Sequence, residues 1–133
     1  MRKVQKELYQ RGRLDTILDK LRSGIVIVEG KHDVQTLSRL GVPAIAYDSF
    51  VSANRNTHQF YTDKTFYLMM DADKGGEDKL GKVLDILTGM DNYIAYNTEL
   101  GRSFLKLLGI TSVEQAYGKA QQIFAMSHYL EMI

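Results

Sequence analysis

Residues 25–33 read Ile25-Val26-Ile27-Val28-Glu29-Gly30-Lys31-His32-Asp33. Four consecutive β-branched apolar residues are the pattern of a strand covered on both faces, since a strand with one wet side alternates apolar and polar positions. Such strands belong to parallel sheets, whose crossover connections lay helices over the sheet. The flanking residues supply those helices. Upstream, Val4, Leu8, Leu14, Ile17, Leu18 and Leu21 recur at three- and four-residue steps, which predicts a helix over 3–22 with a break near Gly12 and an end at Ser23-Gly24. Downstream, Val34, Leu37 and Leu40 predict a helix over 32–40 closed by a left-handed Gly41.

The alternation continues along the chain. Val42 to Tyr47 is a second apolar run, with the sole proline, Pro43, near its start, where a missing N–H does least harm. Residues 48–64 are polar and weakly periodic and read as loop with at most one helical turn. Thr65 to Met70 and Tyr93 to Tyr96 read as the third and fourth strands, with helices over 78–87 and 100–108, the latter ending at Gly109. Thr111-Ser112-Val113-Glu114 has the form of a capping box opening a last helix, along which Val113, Ala116, Ala120, Ile123, Phe124 and Leu130 make an apolar stripe. The expected architecture is an α/β layered sandwich around a mostly parallel four-stranded sheet. It is one domain with its core over about 22–96 and helical extensions over 1–22 and 99–133.

Composition narrows the function classes. With 133 residues, 44% of them hydrophobic and 25% charged, the chain is sized and composed for a single globular domain. The absence of cysteine excludes a disulfide framework, a thiolate zinc site and a cysteine nucleophile. No apolar run approaches the roughly 20 residues of a membrane span. No apolar segment follows the basic N-terminus, so the expectation is a cytoplasmic protein without membrane contact. Net charge is +1, but residues 1–22 hold seven Lys and Arg against three carboxylates, leaving −3 on the remainder. Such asymmetry marks either a phosphate-facing arm or, more commonly, a solvated helix face.

In open parallel sheets ligands bind beyond the carboxyl ends of the strands. There the first strand runs into Glu29-Gly30-Lys31 and the third into Asp71-Ala72-Asp73-Lys74-Gly75-Gly76-Glu77-Asp78. If these strands are neighbours, about 4.8 Å apart, Glu29, Asp71 and Asp73 converge. Carboxylates that close favour proton uptake or a divalent cation, and Mg²⁺, which takes hard oxygen ligands, is the natural occupant. Gly30, Gly75 and Gly76 allow sharp turns and let phosphate oxygens approach amides at helix N-termini. Lys31, Lys74 and Lys79 are placed to neutralise phosphate charge. Asp73, Glu77 and Asp78 also suit the N-terminal end of the next helix, and for Glu77 and Asp78 that is the preferred reading.

These two motifs, residues 25–33 and 71–77, resemble the Toprim domain shared by topoisomerases, primases, overcoming-lysogenization-defect-type nucleases and ribosomal-RNA maturation nucleases. The whole chain is similar to small stand-alone, primase-like Toprim proteins of archaeal type. The resemblance covers about residues 22–96 and implies a three-layer α/β/α, Rossmann-like fold. It also implies that Glu29, assisted by Lys31, acts as general acid or base and that Asp71, Asp73 and Glu29 surround Mg²⁺, with Mn²⁺ as a substitute. Gly30, Lys74, Gly75 and Gly76 would then lie at phosphate. Gly75 stands where topoisomerases carry a further acid, which is similar to the primase and nuclease branches instead.

The expected function is therefore Mg²⁺-dependent phosphodiester chemistry on DNA, RNA or nucleotides, by nucleotidyl transfer or nuclease-type cleavage. The alternative is a non-catalytic metal- and nucleic-acid-binding subunit of a processing complex. A receiver-type phosphoacceptor with Asp71 modified lacks the paired acids expected after the first strand. His32, His58 and His128 are scattered without ligand spacing. Tyr47, Tyr67 and Tyr93 suit strand packing better than base stacking. Arg102 and Lys106, one helical turn apart, face either phosphate or solvent.

Overall fold

Alternate residues of a strand point to opposite faces of its sheet, and in this chain both faces are apolar and both are covered. The computed structural model describes residues 3–57, 63–89 and 94–132. Four strands, β1 (Ile25–Val28), β2 (Ala44–Ala46), β3 (Phe66–Leu68) and β4 (Tyr96–Asn97), form one sheet in the order β2-β1-β3-β4, with every pair parallel. Six helices among the described residues surround it: α1 (Lys3–Arg22), α2 (Lys31–Arg39), α3 (Tyr47–Thr57), α4 (Lys74–Thr88), α5 (Glu99–Leu108) and α6 (Ala116–Met132). Val26, Val28 and Met69 face a core built with α1, α2, α5 and α6; Ile27, Phe66, Leu68 and Met70 face a second core built with α3 and α4. The result is a three-layer α/β/α fold. Both helical extensions belong to one face: Leu14, Ile17, Leu18 and Leu21 of α1 share a core with Phe104, Leu108, Val113, Ala116 and Ala120.

The structure differs from the sequence reading in several places. Residues 48–64 were expected to be loop, but α3 covers Tyr47–Thr57, so every described crossover is helical. Its inner face carries fully buried Phe50 and, one turn on, Asn54, whose Nδ2 donates to the Phe50 carbonyl at 2.7 Å. A polar residue at that inward position erases the apolar period. α1 runs through Gly12 without a break, held to α6 by Arg11, which lies 5.3 Å from the Phe124 ring centroid and donates to Ser127 Oγ at 2.8 Å. The fourth strand is Tyr96–Asn97, later than expected, and Tyr93 lies outside the described residues, as does His58. Gly41 and Gly109 do adopt left-handed φ angles of 74° and 67° behind α2 and α5. Among the described residues no helix is long and apolar enough to cross a membrane.

α5 approaches the sheet through Gly101, which is buried: a Cβ there would meet the Leu68 carbonyl oxygen at 2.5 Å and Met69 at 3.2 Å. Backbone cannot yield as a flexible side chain does, so Gly101→Ala is expected to destabilise the protein by about 1–3 kcal/mol, the usual range for overpacking. Gly118, in α6 with open space around it, is the contrast: Gly118→Ala is expected to stabilise by up to about 1 kcal/mol through helix propensity. Urea unfolding midpoints of the two variants check both signs.

Candidate functional site

β1 ends at Val28, and Glu29 continues the face of Ile25 and Ile27 toward α4. Asp71 follows the end of neighbouring β3, and the two carboxyl groups come within hydrogen-bonding reach of one another. Oε1 of Glu29 is buried and has no hydrogen-bond partner among the described residues. Its carboxyl is pushed up to about 7, first by burial, then by the Asp71 charge and a proton shared with Asp71. Asp73 adds a smaller push, and Lys79 opposes it. The Lys79 ammonium itself lies 5.6 Å from the Tyr47 ring centroid.

Asp71 is also tied to the far end of the chain. Its Oδ1 accepts the Val113 N–H at 3.1 Å, and the Ala72 N–H donates to the Thr111 carbonyl at 3.0 Å. The expected capping box at Thr111-Ser112-Val113-Glu114 does not form: Ser112 makes no side-chain cap, and a 3₁₀ turn over Val113–Gln115 precedes α6. Asp71 supplies the acceptor from 42 residues away. Asp33, buried in the first turn of α2, accepts the Gly30 N–H at 3.2 Å. Burial raises its carboxyl, and the Asp71 and Glu114 charges add to this. The site is thus strongly electronegative.

Asp73 takes the capping role. Its Oδ1 accepts the Gly76 N–H at 2.7 Å, starting α4 at Lys74 rather than at residue 78. Among the described residues no three Asp, Glu or His side chains gather into a cation-binding set, so the expected three-carboxylate cluster is a Glu29–Asp71 pair with Asp73 turned to its helix. The amides of Gly30 and Gly76, expected at phosphate, are given to Asp33 and Asp73. Gly76 has a steric reason to be glycine, because a Cβ would collide with the Asp71 carbonyl oxygen and lie 2.9 Å from Glu29 Oε1. Lys31, Lys74 and Gly75 stand exposed in the first turns of α2 and α4.

Beside Asp71 a cavity of about 480 Å³ opens between α4 and α5. Met70, Leu80, Leu105 and Ile110 give it an apolar floor, and Thr98, Arg102 and Lys106 stand on its polar side. Neither cation is in an ion pair among the described residues. Spacing alone showed Arg102 and Lys106 on one helix face; which neighbour that face meets is set by the packing of α5 on β3.

No protein-family model matches the chain. A UPF0292 protein from Thermococcus sibiricus is 32% identical over 111 residues, covering 80% of this chain and 86% of that protein. The chain belongs to the UPF0292 family. A solved structure of a protein from Aquifex aeolicus aligns with a TM-score of 0.57 at 22% identity, over 78% of this chain and 94% of that one. A likeness of that degree concerns the fold and shows that the same α/β/α layering occurs elsewhere.

The site of this UPF0292 chain fits a hard divalent cation in its donor chemistry. Glu29 presents a buried carboxylate oxygen with no partner, and Asp71 has one oxygen beyond the one held by Val113. Mg²⁺ ordinarily takes one or two carboxylates, with water and phosphate completing its shell. Without a cation the pair is relieved by a proton instead. In EDTA, stability is expected to fall as pH rises from about 4.5 to about 7, because the native state keeps a proton on Glu29 that the unfolded chain has released. Glu29→Gln removes that part of the slope and leaves the part due to Asp33, whose carboxyl is also raised. Urea midpoints across this range check it; identical slopes in wild type and variant would refute the assignment.

Proposed function

We propose that this protein carries out divalent-cation-dependent phosphodiester chemistry on DNA, RNA or nucleotides in the cytoplasm, at the Glu29–Asp71 pair. The observation that carries the reading is the partnerless buried oxygen of Glu29 against Asp71, at the carboxyl ends of adjacent parallel strands. A buried charged group is costly unless a proton, a cation or a hydrogen bond relieves it. The resemblance of residues 25–33 and 71–77 to the Toprim motifs supports the same chemistry, as do Arg102 and Lys106 beside Asp71, which enter no ion pair among the described residues.

Asp71, through the oxygen that Val113 leaves open, would hold Mg²⁺ or Mn²⁺ beside Glu29, with water and substrate phosphate completing the shell. A divalent cation, when bound, supplies charge neutralisation at the phosphoryl oxygens. Glu29 takes the proton of an attacking hydroxyl or water, or gives one to the departing oxygen, for which a carboxyl near neutrality is suited. Arg102 and Lys106 orient the phosphate from the cavity side, and Lys31 adds positive charge at the first turn of α2.

One observation favours a second reading, binding without turnover: Asp71 and Asp73 each commit a carboxylate oxygen to a backbone amide, which leaves fewer oxygens for a cation. A Mn²⁺-supplemented screen on single- and double-stranded DNA and RNA, with and without nucleoside triphosphates, separates the two. Metal-dependent turnover that drops at least about 100-fold in Glu29→Gln is expected. Binding with no turnover under any condition would select the second reading. In calorimetric Mg²⁺ titrations Asp71→Asn is expected to lose most of the wild-type heat, and equal heats would end the cation assignment.

A further inference from the structure

A second cavity, also of about 480 Å³, lies between α1 and α5. α1 turns Lys6, Tyr9, Gln10 and Arg13 toward it, a stripe at three- and four-residue steps, and α5 adds Ser103 and Lys106. Gln10 Nε2 donates to the Leu107 carbonyl at 3.1 Å and fixes the two helices against each other. No carboxylate lines this groove, and Lys6, Arg13 and Lys106 enter no ion pair among the described residues. The Tyr9 side chain is 62% exposed at its mouth. Three cations around one groove without counter-charge repel one another, and a polyanion relieves them. Lys106 lines the cavity beside Asp71 as well, with Arg102 one turn earlier, so positive side chains continue from α1 to the carboxylate pair.

We propose that the α1–α5 groove is a track for single-stranded nucleic acid, in which Lys6, Arg13 and Lys106 contact phosphates and Tyr9 stacks on a base. The proposal rests on the reading above for where the strand leads, while binding in the groove itself requires neither cation nor turnover. An aromatic ring among cations is the combination that holds unpaired bases and their backbone together. A duplex keeps its bases stacked inside and gives such a ring only sugar and phosphate. The recognised chemistry, phosphate with an unstacked base, is common to DNA and RNA.

Fluorescence anisotropy of the full chain in EDTA, with end-labelled oligothymidylate, oligouridylate and a duplex of equal length, tests it. Both single strands are expected to bind, and the duplex to bind at least about tenfold more weakly, given what stacking contributes per base. The logarithm of affinity should fall linearly with that of salt concentration, and the Lys6→Ala/Arg13→Ala pair should reduce the slope by about 0.7 for each side chain removed. Tyr9→Ala should weaken binding on the order of tenfold, with Tyr9→Phe retaining it. All three side chains on α1 are exposed, so these variants keep the fold. An unchanged salt slope in the double variant overturns the proposal, as does equal binding of duplex, or oligoglutamate competing as well as the oligonucleotides. Because the assay contains no free divalent cation, its failure leaves the carboxylate reading standing, and absent turnover in the screen above leaves the groove standing.

Discussion

Pairing of β1 with β3, Ile25 opposite Phe66 and Ile27 opposite Leu68, brings two acidic loops to one edge of the sheet. The Met69 N–H donates to the Ile27 carbonyl at 2.9 Å and closes this ladder just before the loops begin. Both strands are buried on both faces, so neither can slip by a residue without turning its side chains to the wrong layer. Glu29 therefore cannot retreat from Asp71. Their repulsion is part of the fold and is relieved locally, by a proton on Glu29, by Lys79, or by a cation.

The helices around the site are started by the same kind of group that would do its chemistry. Asp33 opens α2, Asp73 opens α4, and Asp71 receives the first amide of the turn leading into α6. Carboxylates at helix N-termini are stabilised by the orphan amides and the dipole. Three acids are held in a small volume because each has an amide to accept from. Glu29 has none, and it is the one whose proton is retained to near neutrality. That asymmetry sets Glu29 apart from the three capping acids more sharply than position in the sequence does.

Much of this was legible from residues alone. The β-branched run at 25–28, the left-handed glycines behind two helices and the carboxylates at two strand ends are local signals, and each appears where the pattern placed it. Signals failed where a polar contact, local or distant, held a place that apolar periodicity and helix propensity do not register. α3 was hidden because Asn54, whose Nδ2 donates to the Phe50 carbonyl while its Oδ1 is buried without a partner among the described residues, occupies a position where an apolar residue was expected. α4 begins early because Asp73 offsets the low helix propensity of Gly75 and Gly76. Asp33 stands three residues after Gly30, a capping spacing that could have been read. The acceptor role of Asp71 toward Val113 has no trace in local sequence.

That last contact makes the C-terminal segment part of the site. With Val113 holding Oδ1, Asp71 is fixed in azimuth, and Ile110 closes the floor of the cavity beside it. A chain shortened before Ile110 would keep every acidic residue of both motifs, yet its aspartate would be free to swivel and its pocket would be open below. The carboxylates furnish the charge; the aim comes from the turn that precedes the last helix.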